Sequence, residues 1–130
     1  MSILVIRPSR YTSHFAYFAG ACREPILTGD MKPLHSGVGD ETETVKELRH
    51  IRSLCRKRLS AEDLDALAVR LTFTASEFPK PVVATPEVIR RLQALVPRAP
   101  LHLPPKLRLI EHCRQTFPEV PIVLVSETSF

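Results

Sequence analysis

Histidines, cysteines and a dense set of arginines are the groups in this 130-residue chain that could do chemistry. The cysteines, Cys22, Cys55 and Cys113, are three in number, far apart and never spaced Cys-x-x-Cys. That pattern excludes a zinc knuckle and a thioredoxin-type redox pair. It suits free thiols acting as small apolar residues in a reducing cytoplasm. The histidines are His14, His35, His50, His102 and His112, and no two stand as His-x-x-x-His or His-Glu-x-x-His. No metal site is therefore expected. His50 and His112 fall on predicted helices and read as surface residues. His102 differs, because Pro100 and Pro104 fix the backbone around it. An imidazole held that way in a loop can serve as acid, base or anion donor, or simply hydrogen-bond its own loop.

Phosphate-gripping motifs are missing. Gly20, Gly29, Gly37 and Gly39 form neither Gly-x-x-x-x-Gly-Lys nor Gly-x-Gly-x-x-Gly, and Gly37 and Gly39 read as part of a polar loop. Arg49, Arg52, Arg56, Lys57 and Arg58 crowd one predicted helix. Glu41, Glu43, Glu47, Glu62, Asp63 and Asp65 flank them, and no aromatic residue interleaves. That favours a solvated amphipathic face over a nucleic-acid surface.

These groups must be positioned by ordinary elements. Residues 3–6 are all aliphatic and predict a buried strand; Pro8 ends it by removing a donor. Residues 15–18 and 25–32 predict two more strands, giving an antiparallel meander. Val45, Leu48, Ile51, Cys55 and Leu59 recur at steps of three and four and predict a helix over 43–59, after a loop at 36–43. Ser60 and Asp63 have the spacing of a capping box. Residues 67–73 predict a strand. Thr85 then caps a helix with Pro86 at its first position. A further helix is predicted over 105–117 and a last aliphatic strand over 122–125. The order β-β-β-α-β-α-α-β predicts a mixed five-stranded sheet with helices on its faces, the strands at 3–6 and 122–125 being central.

Composition supports one α/β domain over residues 1–130. The chain is 44% hydrophobic and 25% charged, which excludes a disordered tail. Its net charge of +4 does not by itself imply nucleic acid. No apolar run approaches a membrane span and no signal peptide is visible, so a cytoplasmic location is expected.

More specific patterns lie in the C-terminal half. They run Phe78-Pro-Lys-Pro-Val-Val-Ala-Thr-Pro-Glu-Val-Ile, then Ala99-Pro-Leu-His-Leu-Pro, then Phe117-Pro-Glu-Val-Pro, then Glu127-Thr-Ser-Phe. In order and character they resemble the acetate kinase family, with its Leu-Ala-Pro-Leu-His-Asn-Pro loop and Asp-Thr-Ala-Phe strand end. The N-terminal stretch from Ile3 through Phe18 is similar to that family's first hairpin, whose turn reads Asn-x-Gly-Ser-Ser-Ser-x-Lys-Phe. The resemblance covers nearly the whole chain and implies the N-terminal, ribonuclease-H-like (actin-like ATPase) domain.

It also implies roles. Arg70 corresponds to an arginine that binds the substrate carboxylate and phosphate. His102 matches the loop histidine that assists phosphoryl transfer, and Glu127 stands where an Asp helps place metal or acceptor. The phosphate loop is degenerate: Arg7 replaces Asn, Ser9, Arg10, Tyr11 and Thr12 replace Gly-Ser-Ser-Ser, and His14 replaces Lys. Arg10 and Tyr11 would crowd a phosphate that small residues admit. Glu127 moves its carboxylate by one methylene. The expected reaction is transfer of a phosphoryl group between ATP and a short carboxylate. ATP and Mg2+ would be expected only when a complementary, C-terminal kinase half is supplied, since transfer depends on charge stabilisation from both sides of the phosphate. The chain alone is expected to be inactive. Self-association into a homodimer is an alternative way to cover an apolar patch. The rival expectation is a non-catalytic module that uses Arg7, Arg10 and His14 for an anionic ligand or protein partner.

Overall fold

A computed structural model of the chain describes residues 2–8, 13–19, 23–31, 41–58, 64–71, 80–101 and 103–126. Aliphatic and aromatic side chains on alternate positions build the sheet. Strands β1 (Ser2–Arg7), β2 (Ser13–Ala19) and β3 (Leu27–Met31) form the antiparallel meander. Helix α1 (Glu41–Arg58) leads to β4 (Ala66–Leu71), which lies parallel to β1. A two-residue strand, β5 (Val82–Val83), precedes α2 (Pro86–Ala94). After a 3-10 turn at Val96–Arg98 come α3 (Leu103–Thr116) and β6 (Ile122–Ser126).

The sheet order is β3-β2-β1-β4-β6-β5, with six strands rather than the five expected. The extra strand is β5, which pairs antiparallel with β6 through Val82–Leu124 and Val83–Val123. Its two residues lie between Pro81 and Pro86 and carry no periodicity to read. The centre of the sheet is β1 and β4, and β6 sits one place further out.

Parity along the strands separates two faces. Leu4, Ile6, Tyr17, Leu67 and Val69 point to one side and are fully buried. Leu48, Ile51 and Cys55 of α1, Val88 and Leu92 of α2, and Leu109, Ile110 and Cys113 of α3 join the same cluster. Helices were expected on both faces; instead all three send their buried side chains into this single core. The opposite face, with Val5, Ala16, Ala68 and Val125, stays half-buried.

Local signals account for the ends. Thr85 Oγ1 accepts from the Val88 N–H (3.3 Å) with Pro86 behind it, as expected. Asp65 tethers β1 to the start of β4: its Oδ2 accepts from the Ser2 N–H at 2.7 Å. Arg52 of α1 donates to the Thr116 carbonyl (2.6 Å) and lies over the Phe117 ring, 5.6 Å from its centroid. Position 29 needs glycine because a Cβ there would meet the Phe15 ring at 2.6 Å. His50 is exposed, as expected, but His112 is half-buried. Neither His112 ring nitrogen finds a partner among the described residues. Among the described residues no helix is long and apolar enough to cross a membrane.

Candidate functional site

The half-buried face carries its polar groups at one end. Arg7 pairs with His14 across β1 and β2, and His14 pairs with Asp30 across β2 and β3. Ile6 pairs with Val69, so Arg7 and Arg70 each lie one residue further along adjacent parallel strands. Arg70 in turn pairs with Val125 of β6. One row, Asp30–His14–Arg7–Arg70–Val125, therefore crosses five strands at the carboxyl ends of β1, β4 and β6. The crevice outside those ends is where open α/β sheets bind ligands.

These residues line one cavity of about 720 Å³, floored by Val5, Ala16, Phe18, Ala68 and Val125. That volume is in the range of small-molecule sites. Arg70 is half-buried and Arg7 exposed. Two guanidiniums at the rim of an apolar floor present forked N–H donors suited to a carboxylate or phosphate. The His14 Nδ1–H donates to Asp30 Oδ1 at 2.6 Å. Both side chains are more than half exposed, so the pair orients the imidazole more than it stabilises the fold.

Of the residues singled out in the sequence, Arg7, His14 and Arg70 come together here. Ser9, Arg10, Thr12, His102 and Glu127 lie outside the described residues. Asp30 was missed. The signal that could have found it is hairpin register, because the residue opposite His14 is fixed once β2 and β3 pair.

Among the described residues, chemistry of other kinds finds little footing. No group of three or more possible metal ligands occurs among the described residues. Among the described residues the cavity's carboxylate, Asp30, is engaged by His14, and Arg7 and Arg70 line the same cavity and oppose a dication. The described residues thus fit an anion and do not form a Mg2+ site. Burial pushes the Cys55 thiol up to about 11 and the Cys113 thiol up to about 12, so neither is a ready nucleophile. Cys22 lies outside the described residues.

Comparison with known proteins extends the picture. An acetate kinase of Deinococcus radiodurans is 42% identical over 65 residues, covering 50% of this chain and 16% of its own length. The fold superposes on a Porphyromonas gingivalis acetate kinase with TM-score 0.78 at 23% identity, over 99% of this chain and 38% of that one. A propionate kinase of Francisella tularensis gives TM-score 0.78 at 22% identity, over 98% of this chain and 37% of that one. The likeness establishes a ribonuclease-H-like, actin-like ATPase fold. The chain spans well under half the length of each of these proteins. The sequence pattern of the acetokinase family itself runs through residues 19–130, and the chain belongs to that family.

Proposed function

We propose that the cavity beside Arg70 is the acceptor side of a phosphotransferase that acts on a short-chain carboxylate. The observation that carries this reading is the placement of Arg70 beside Arg7 over an apolar floor. The guanidinium grips the carboxylate or the transferring phosphate, and Val5, Ala68 and Val125 receive a short alkyl group. Charge complementarity is the main tool available for phosphoryl transfer. His102 and Glu127 complete the assignment by family resemblance, the first against charge on the transferring group and the second as an orienting carboxylate. The solved relatives are more than twice as long, and by family resemblance the nucleotide and its Mg2+ are held by a complementary C-terminal half. The chain alone is an inactive half-site: with labelled ATP, magnesium and acetate it yields no acetyl phosphate.

A thermal-shift screen with acetate, propionate and acetyl phosphate tests the reading. Stabilisation by these ligands that disappears in R70A supports it. No shift with any of them, or a shift retained in R70A, contradicts it.

One observation favours a second reading, a non-catalytic anion-binding module in a reducing, cytoplasmic setting. By the family resemblance Arg7 replaces an Asn, and on the sheet it stands as a second guanidinium beside Arg70. In that case inorganic phosphate, rather than a carboxylate, gives the larger shift, and R7A abolishes it.

A further inference from the structure

Helix α1 buries Leu48, Ile51 and Cys55 in the core, and the opposite arc points outward. On that arc stand Lys46, Arg49, Ser53, Arg56 and Lys57, at helical steps of three and four, with half-buried Arg52 at its edge. No carboxylate interrupts them between positions 49 and 57. Arg49, Arg52, Ser53, Arg56 and Lys57 together line a shallow concavity of about 360 Å³. It lies on the helix layer, with the sheet between it and the cavity at Arg70. Arg52 is held in advance by the Thr116 carbonyl and the Phe117 ring.

We propose that this stripe is a second binding site, for a linear phosphate polymer held through its backbone. From Lys46 to Lys57 the cations run along about 16 Å of helix, one or two per turn, which suits a chain of charges better than a single ion. Arginine forks and the Ser53 hydroxyl supply directed donors to phosphate oxygens. The apolar face of α1 is already buried in the core, so the helix has none left to insert into a lipid surface. No aromatic residue stands in the stripe to stack a base, so the backbone alone is read and sequence is not. Inorganic polyphosphate and a nucleic-acid strand share that chemistry.

The test uses the whole chain and fluorescence anisotropy with labelled oligouridylate, competed by inorganic polyphosphate or by polyglutamate. At about 0.7 per phosphate neutralised, five contacts give a log–log salt slope of about −3.5, roughly a hundredfold loss between 50 and 200 mM salt. Arg49 and Arg56 are exposed, so R49E/R56E should fold, as circular dichroism will verify. That variant is expected to bind at least tenfold more weakly with a slope nearer about −2, whereas R70A binds as the parent does. Polyphosphate of matched charge competes fully and polyglutamate much less. The proposal is overturned by no binding at 50 mM salt, by unchanged binding in R49E/R56E, or by loss in R70A. It is equally overturned if only one phosphate polymer binds, or if polyglutamate competes equally.

Discussion

The two faces of the sheet are made by the same strands and could hardly differ more. In β4 the buried side reads Leu67, Val69 and Leu71, while the other side reads Ala66, Ala68 and Arg70. One face is sealed by three helices over large aliphatic side chains. The other offers small residues, a shallow cavity and a row of charge at its rim. Core packing and the charge-rimmed cavity are thus divided by residue parity, one for each face. The comparison teaches that residues such as Arg7 and Arg70 can vary at little cost to the fold, because they lie on the face that bears little of the core.

If that division is right, substitutions one residue apart should behave very differently. Leu67 is fully buried, so L67A should cost about 3 kcal/mol in denaturant unfolding. Its neighbour Ala68 faces the cavity, and A68S should change stability by no more than about 0.5 kcal/mol. Equal losses for the two would abolish the distinction between the faces.

A smaller effect sharpens the boundary at the sheet edge. Gly29 lies opposite Phe15, whose ring occupies the space a Cβ would take. G29A should therefore cost about 1–3 kcal/mol by displacing a ring that the core holds in place. A neutral G29A would mean that Phe15 moves freely.

The smallest effect concerns pH. The Ser2 backbone N–H bonded to Asp65 holds that carboxyl below its usual value. A depressed carboxylate stabilises the fold at neutral pH, and the contribution is lost as pH falls through the acid range below about 4. D65N should lower the melting temperature slightly at pH 7 and make little difference at pH 2, as seen by circular dichroism. A difference that grows toward low pH would contradict the tether.

Much of this arrangement was legible in the residues. Thr85 and Pro86 announced α2, and the apolar steps of α1 announced which of its sides is buried. The strand at 3–6 misled in one respect. Four aliphatic residues in a row imply burial on both sides, yet Ile3 and Val5 are only half-buried. A continuous apolar run hides parity, whereas the alternation in β4 displays it. The one-sided helix layer could not be read either, because the face a helix covers depends on how its connection crosses the sheet. At the candidate site, Arg70 was singled out by family resemblance alone. Its closeness to Arg7 is a matter of parallel register between segments some sixty residues apart, which no local pattern encodes.

Acceptor binding at the Arg70 end of the open face is the claim on which the functional account stands. Backbone-amide NMR during titration with propionate tests it most directly. The account predicts saturable shifts at Val5, Arg7, Ala68, Arg70 and Val125, with Leu67 and Leu124 on the sealed face moving little and R70A removing the response. Shifts centred on the helix layer, or the same response in R70A, would contradict it.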